Sequence, residues 1–134
     1  MRRRFLVLAF FVAFLVVWFV WNPPGRFGYH TFGFTVYSSI PIPYFDLKIH
    51  ADGFPSIREK GHLVTLAEVR DLLEEGAEVL VIGTGYDEMV KVEPRVLESP
   101  KIPVKVCATP KAIEEFNALK SQGKRVAAII HTSC

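Results

Sequence analysis

The chain has 134 residues, which suits one folded domain and leaves little room for a second. Half of the residues are hydrophobic, and the formal net charge is +2 at pH 7. The two cysteines, Cys107 and Cys134, are too few for a disulfide scaffold, which excludes the class of small disulfide-rich domains. Free, partly buried thiols are the expected state, and pairing stays open if the domain lies outside the cytoplasm.

The N-terminal segment has the composition of a transmembrane helix. Three arginines at positions 2–4 precede seventeen consecutive apolar residues, Phe5–Trp21. As a helix, this run would be roughly 25 Å long, at the lower end of what crosses a bilayer core. Trp18 and Trp21 lie at its far end, where interfacial aromatic residues are usually found. Residues 1–21 are therefore predicted to form cytoplasmic arginines and one uncleaved transmembrane helix.

Three alternatives for this segment fit less well. A cleaved signal peptide has a shorter apolar region and small residues before the cut, whereas this run ends in Val-Trp-Asn-Pro-Pro at positions 20–24. A core helix would have one polar face, and none is present here. The start Arg-Arg-Arg-Phe-Leu resembles a twin-arginine export signal only loosely, and the apolar region is unusually hydrophobic for one.

The flanking charges predict the orientation of this helix. The arginines at positions 2–4 precede it and only Arg26 lies close behind, so the positive-inside rule places the N-terminus in the cytoplasm and the domain outside. The expected localisation is the cell membrane, with a single pass. Beyond the helix, thirteen basic residues face fourteen acidic ones, a net charge near −1. No long basic tract is present there, so nucleic acid is not an expected partner.

The rest of the chain divides into a linker, residues 22–28, and a domain, residues 29–134. The linker holds two prolines and two glycines and cannot continue the helix. Apolar and polar residues alternate over positions 45–50, a strand pattern, and Asp52-Gly53 follows as a hairpin turn. A returning strand is predicted over positions 56–61.

Helices and strands then alternate to the end of the chain. Thr65 and Glu68 form a predicted capping box for a helix that ends at Gly76, and a buried strand follows at 78–82. One or two helical turns are predicted over 92–99 and a strand over 102–108. A second helix starts with Thr109 as cap and Pro110 at the first helical position, and a last strand covers 125–131. This order predicts right-handed crossovers and an α/β fold with a largely parallel sheet, extended or covered by the β-hairpin.

The glycine turn after the first of these crossover strands, Gly83-Thr84-Gly85, resembles a phosphate-binding loop. A dinucleotide fingerprint needs a third glycine three residues after the second, and Glu88 stands there beside Asp87. Two carboxylates would repel a phosphate, and no helical pattern starts at once. The glycines are therefore interpreted as a sharp exit from the strand.

A second group of residues follows the three crossover strands. If the strands are parallel, Gly83–Gly85, Thr109 and His131–Cys134 meet at one sheet edge, where α/β folds bind ligands. His131 and Cys134 have a spacing that is found in metal sites, but two ligands alone do not make one. A Cys-His nucleophile would also need an orienting group and an oxyanion hole. Packing and hydrogen bonding are the alternative role, and no catalytic, metal or cofactor residue is predicted.

Three further polar residues have no assigned chemistry. His62 precedes the Thr65 helix and is expected to cap it or pack there. Arg58 and Asp46 are expected to meet across the hairpin, either as a salt bridge or in a polar site. The candidate ligand or partner edge thus comprises Arg58, Gly83, Thr84, Gly85, Thr109, His131 and Cys134.

Four segments in order resemble a small α/β domain family. They are "FDLKIHADG", "IREKGHLVTLAEVRDLL", "EVLVIGTG" and "IPVKVCATPKAIEEFNALKSQGKRVAAIIHTSC". The family includes the adipogenesis-associated domain protein and mitochondrial complex I assembly factor three. The resemblance covers about residues 27–134, and its recurring positions are Arg58, Gly83, Thr84, Gly85, Thr109, Asn117 and His131.

The resemblance implies a three-layer α/β domain with a mixed central sheet. It also implies no established catalytic activity, because characterised members are discussed as assembly or regulatory partners. The predicted function is a membrane-anchored, non-enzymatic module for protein interaction or complex assembly; the alternative is a small-ligand-binding or enzymatic domain that uses Gly83–Gly85 and His131–Cys134. The membrane helix departs from a family thought largely soluble, and residues 31–44 match it poorly.

Overall fold

The computed structural model describes residues 1–98 and 101–134. The helices are α1 (Arg2–Trp21), α2 (Leu66–Glu74), α3 (Pro94–Glu98) and α4 (Thr109–Ser121). The strands are β1 (Phe27–Thr31), β2 (Phe34–Tyr37), β3 (Ile40–Pro43), β4 (Asp46–Ile49), β5 (Pro55–Arg58), β6 (Leu63–Val64), β7 (Val79–Gly83), β8 (Lys91–Val92), β9 (Val104–Cys107) and β10 (Val126–Ile130). The predicted helical turns over 92–99 correspond to α3, and Ser99 lies outside the described residues.

The centre of the domain is a mixed five-stranded sheet in the order β5-β4-β10-β7-β9. Strands β9, β7 and β10 are parallel to one another, whereas β4 runs antiparallel to β10 and pairs with β5 in the predicted hairpin. The crossovers that lead through α3 and α4 supply the parallel strands, because parallel neighbours need a long connection. The mixed α/β fold predicted from the sequence is confirmed.

Both faces of this sheet are covered, which gives three layers. Alternate residues of β7 and β10 point to opposite faces, and every residue of both strands is buried. One face packs on α4 and on the β1–β3 strands through Phe27, Tyr37 and Phe116. The other face packs on α2 and α3 through Val69, Leu72 and Val96. Strands buried on both faces explain why their sequences are almost continuously apolar.

A second sheet, in the order β1-β2-β3, was not predicted, and all of its strands are antiparallel. Its β2–β3 turn consists of Ser38 and Ser39, both with positive φ. Asn117 of α4 fixes β1, since its side chain accepts from the Phe27 N–H at 2.9 Å and donates to the Phe27 carbonyl at 2.8 Å. Strand β1 therefore begins at Phe27, inside the segment predicted to be a linker.

The N-terminal helix α1 projects from the domain with no buried residue. It is the one helix among residues 1–98 and 101–134 that is long and apolar enough to cross a membrane. Its C-terminal end contacts the domain: the Trp18 indole donates to the Ser39 carbonyl at 3.0 Å, and the buried side chain of Asn22, which follows the helix, accepts from the Tyr29 N–H at 2.9 Å. The helix is thus joined to the domain by defined contacts.

Two helix starts differ in detail from the expectation. Thr65 caps α2 by accepting from the Glu68 N–H at 3.2 Å, but the Glu68 carboxylate contacts Arg58 rather than completing a capping box. Thr109 is the first residue of α4 and not its cap. Its hydroxyl instead donates to the His131 carbonyl at 2.5 Å, because this tertiary partner lies within reach at the sheet edge.

Candidate functional site

The strand register gathers the candidate residues at one edge of the central sheet. Gly83 lies beside both Ile130 and Cys107, so the carboxyl ends of the three parallel strands are level. Because β4 is antiparallel, its first residue, Asp46, lies at the same edge, opposite Arg58 at the end of β5. The edge therefore contains residues from all five strands.

Asp46 is the centre of a buried polar network. Its carboxylate accepts hydrogen bonds from Arg58 Nη1 at 3.2 Å, Lys60 Nζ at 2.8 Å and His131 Nδ1 at 2.5 Å. The backbone N–H of Thr132 donates to the same carboxylate at 3.0 Å. Asp46 and His131 are completely buried. A buried carboxylate with this many donors is satisfied as an anion.

The pKa values of this pair follow from burial and from the donors. Burial alone would raise the pKa of the Asp46 carboxyl, but hydrogen bonds from Lys60 and from the Thr132 N–H outweigh it and leave the pKa below its ordinary value. Burial lowers the pKa of His131, and the nearby Asp46 carboxylate offsets this only in part. The histidine is therefore neutral at pH 7, with its Nδ1 proton donated to Asp46 and its Nε2 facing Ser133 Oγ at 3.5 Å and Cys134 Sγ at 3.9 Å.

Arg58 fixes the loop that carries His62. Besides Asp46, its guanidinium contacts the Glu68 carboxylate and donates to the Leu63 carbonyl at 2.9 Å. The His62 carbonyl in turn accepts from the Lys91 N–H at 2.8 Å. The sequence left open whether Arg58 and Asp46 form a salt bridge or line a polar site; they form a buried ion pair that positions a site residue.

The Gly83-Thr84-Gly85 segment packs tightly against the other strand ends. The Gly85 N–H donates to the Thr109 hydroxyl at 2.9 Å, and the Thr84 hydroxyl donates to the Cys107 carbonyl at 3.1 Å. Gly85 has a φ of +102°, and a β-carbon there would collide with the Cys134 carbonyl. No helix follows the turn, since β8 is the next element. These contacts give the segment a structural role in joining the strand ends.

Three side chains that can bind a metal, two histidines and one cysteine, meet beside this turn. The nitrogen and sulfur donor atoms of His62, His131 and Cys134 all lie within 4.8 Å of one another. Cys134 Sγ is 3.4 Å from His62 Nε2 and 3.9 Å from His131 Nε2. His62 is exposed, Cys134 half-buried and His131 buried. The expectation that His62 caps a helix or merely packs missed this contact, because 69 residues separate it from His131.

The same geometry bears on nucleophilic catalysis. Asp46, His131 and Cys134 supply an orienting group, a base and a thiol. The nearby backbone N–H groups are already used, however: Tyr86 donates to the Ser133 carbonyl at 2.7 Å, and Asp87 and Met89 donate to the Cys134 carbonyl at 3.2 and 3.1 Å. These amides are thus unavailable as an oxyanion hole. Cys107 and Cys134 are both free thiols.

Aromatic and apolar side chains border the edge, all exposed except the half-buried Tyr86. We call this set the rim: Phe32, Tyr44, Phe45, Tyr86 and Met89. The Phe32 and Tyr86 rings are 5.9 Å apart, and Lys60 Nζ lies 4.6 Å from the centre of the Tyr44 ring. Gly33 connects this border to the site, since its N–H donates to the Thr132 carbonyl and its carbonyl accepts from the Tyr44 N–H, both at 2.7 Å. Tyr44 has a φ of +67°, a strained conformation for a residue with a side chain.

A separate concave region lies at the opposite end of the β4–β5 hairpin. It has a volume of about 440 Å³ and is lined by His50, Asp52, Phe54, Glu75 and Arg125. His50 Nδ1 contacts the Glu75 carboxylate at 2.8 Å, so these polar groups are paired with one another. None of the candidate residues predicted from the sequence lies there.

The fold and the site define a small mixed α/β domain with a polar sheet edge and a long apolar N-terminal helix. A family model described as "Protein of unknown function (DUF498/DUF598)" matches residues 28–131. The chain therefore belongs to the DUF498/DUF598 family. This confirms the predicted membership in an uncharacterised small α/β family.

Solved structures show the same fold. A protein named MT938 is 29% identical, with a TM-score of 0.71, and the match covers 81% of this chain and 98% of that one. The conserved hypothetical protein PH1505 from Pyrococcus horikoshii is 24% identical, with a TM-score of 0.68 and coverages of 81% and 99%. A structure named an outer membrane protein from Bartonella henselae is 24% identical, with a TM-score of 0.68 and coverages of 83% and 98%.

Proposed function

We propose that this protein is a membrane-anchored, non-enzymatic recognition domain that binds a protein partner through the rim and helps a membrane complex to assemble. The observation that carries the proposal is the rim itself: apolar side chains lie exposed around a rigid polar edge. Phe32, Tyr44, Phe45 and Met89 are each more than half exposed, at 55%, 64%, 51% and 55%. Aromatic residues and methionine are enriched at the centres of protein interfaces.

The hydrogen bonds of the site hold the rim in one conformation before any partner binds. The rim residues lie on turns that are hydrogen-bonded to the segment from Thr132 to Cys134. The Asp46 carboxylate fixes that segment by accepting a hydrogen bond from the Thr132 N–H. A preformed surface loses less conformational entropy on association than a mobile one. The occupied amides beside Cys134 also favour recognition over acyl-transfer chemistry.

The position of α1 leaves the rim accessible. The α1 end contacts the Ser38–Ser39 turn at one end of β2, while the rim starts at the Phe32–Gly33 turn at the other end. If α1 spans a bilayer, the rim faces away from the membrane. The arginines at positions 2–4 favour a cytoplasmic N-terminus and an extracytoplasmic domain.

Photo-cross-linking tests partner binding. We expect a photoreactive residue at Phe32 or Tyr44 of the full-length protein, in its native membrane, to form the same discrete protein adduct. The matched control is Phe54, an aromatic residue that is 68% exposed at the opposite end of the hairpin. Adducts of equal yield at all three positions, or none at Phe32 and Tyr44, would contradict the proposal.

Charged substitutions test the membrane anchor. We expect Val12→Lys combined with Leu15→Lys to release the protein from the membrane fraction, because each lysine at a helix centre opposes insertion by about 2.5–3.5 kcal/mol. Val12→Ala with Leu15→Ala is the control and should stay in the pellet after alkaline carbonate extraction. Intact mass measurement checks that α1 is retained. A mature wild-type protein that lacks α1 would identify a cleaved signal sequence and end the anchoring proposal.

A further inference from the structure

We propose that His62, His131 and Cys134 form a binding site for a zinc-class divalent ion, with Asp46 as the group that orients His131. This site goes beyond the proposed recognition function and does not depend on a partner. Imidazole nitrogen and thiolate sulfur are the ligands that Zn²⁺ prefers. Three protein ligands would leave a fourth position open to water.

The donor separations suit one ion. In a tetrahedral site, Zn–S and Zn–N bonds of about 2.3 and 2.05 Å place sulfur and nitrogen about 3.6 Å apart. The observed separations from Cys134 Sγ, 3.4 Å to His62 Nε2 and 3.9 Å to His131 Nε2, lie on either side of that value. His62 is exposed, so its side chain can adjust by rotation without disturbing the core.

The hydrogen bond from His131 to Asp46 points the second ring nitrogen, Nε2, at the site. Nδ1 lies 2.5 Å from a carboxylate oxygen of Asp46 and therefore carries a proton, which leaves Nε2 as the nitrogen that faces the Cys134 thiol at 3.9 Å. The nearest hydroxyl, Ser133 Oγ, is 3.5 Å from Nε2, too far for a strong hydrogen bond. A buried imidazole whose Nδ1 is held by a carboxylate, while its Nε2 faces a thiol, is the arrangement of metal-binding histidines.

The charges and the backbone also suit a cation. The two basic side chains of the edge are compensated: Lys60 donates to Asp46 at 2.8 Å, and Arg58 contacts Asp46 and Glu68. Hydrogen bonds from Asp87 and Met89 to the Cys134 carbonyl fix the backbone that carries the thiol. Binding would convert the Cys134 thiol to a thiolate and release its proton to solvent.

Another group of possible ligands among residues 1–98 and 101–134 is less suitable. His50, Asp71 and Glu75 have donor atoms within 4.8 Å of one another. Their atoms are already engaged, since Asp71 pairs with Lys48 at 2.7 Å and Glu75 with His50 at 2.8 Å. Two of the three ligands are exposed carboxylates, which are hard donors, and only His50 supplies an imidazole. This group therefore serves as a control.

Cobalt titration of the full-length protein in detergent, after removal of metal with a chelator, tests the site. We expect one equivalent of Co²⁺ to give a sulfur-to-cobalt charge-transfer band and the intense visible bands of a four-coordinate ion, both abolished by added Zn²⁺. Cys134→Ser should remove the sulfur band, and Cys107→Ser should keep it.

Ligand variants complete the test. His62→Gln should weaken Co²⁺ binding at least about tenfold, the loss that even outer-shell partners of a metal produce, without lowering the unfolding temperature of the metal-free protein. His50→Gln should leave the affinity unchanged. Absence of a sulfur band at saturating Co²⁺, or equal affinity in the wild type and His62→Gln, would overturn the proposal.

Discussion

Asp46→Ala is expected to lower the unfolding temperature by at least about 10 °C. Removing one partner from a buried ion pair destabilises a protein by about 3–5 kcal/mol, which corresponds to this shift in a domain of about 100 residues. The size of the effect follows from the donors left behind: Arg58 remains 6% exposed, and His131 remains completely buried. His131 would lose its carboxylate acceptor, and Arg58 would lose one acceptor and keep those of Glu68 and Leu63.

The control for this variant is Asp71→Ala. Asp71 also pairs with a lysine, Lys48 at 2.7 Å, but its side chain is 49% exposed, and exposed pairs contribute about 0–1 kcal/mol. Thermal unfolding of both full-length variants in one detergent compares them directly. Similar shifts for Asp46→Ala and Asp71→Ala would show that the buried network is not a major source of stability.

The dependence of the free energy of unfolding on pH, in the acid range, tests the role of Asp46 in a second way. The folded pKa of Asp46 is below its ordinary value of 3.8, so the unfolded chain binds the proton first as pH falls. The stabilisation from Asp46 is therefore fully present above about pH 4 and lost as pH falls through the folded pKa. Asp46→Ala should lack this contribution, and the difference in stability between wild type and variant should narrow below pH 4.

The central sheet could be predicted from the sequence because its signals are local. The runs over 78–82 and 125–131 are apolar enough to be buried on both faces, and helices with recognisable ends lie between the strands. Parallel crossovers then fix which strand ends meet. Gly83–Gly85, Thr109 and His131–Cys134 are therefore predicted at one edge, and they lie together there in the structure.

The second sheet could not be predicted, because its turn lacks the usual residues. Ser38 and Ser39 adopt φ values of 50° and 67°, which hairpin turns ordinarily assign to Asn and Gly. The prolines of β3, Pro41 and Pro43, also argue against a strand. They are tolerated because β3 is an edge strand that pairs only with β2.

The contact between Asp46 and His131 at the centre of the site could not be predicted from the sequence either, for a different reason. Asp46 and His131 are 85 residues apart, and their contact requires that β4 pairs antiparallel with β10. The alternating pattern over 45–50 predicts a strand but not its neighbour in the sheet. His62 was missed because it lies in a loop, whose position depends on Arg58 and not on a periodic pattern.

The largest steric effect is expected at Gly85. Its φ is +102°, and an added β-carbon would overlap the carbonyl of Cys134. Gly85→Ala must therefore displace the segment that carries the three hydrogen bonds from Tyr86, Asp87 and Met89 to Ser133 and Cys134. With about 1 kcal/mol for each hydrogen bond lost, we expect about 2–3 kcal/mol of destabilisation beyond the backbone strain itself.

Gly76→Ala separates the two contributions. Gly76 has a φ of +83°, similar to that of Gly85, but a β-carbon there would meet no atom within 4 Å. Its alanine variant pays only the conformational penalty of about 1–2 kcal/mol. Thermal unfolding gives the difference between the variants, and alkylation of Cys134 followed by mass spectrometry reports the local displacement, which only Gly85→Ala should cause. The contrary outcome is equal destabilisation of the two variants, with Cys134 equally protected from alkylation in both. In that case Gly85 would be needed for its φ alone and would not hold the His131–Cys134 segment in place.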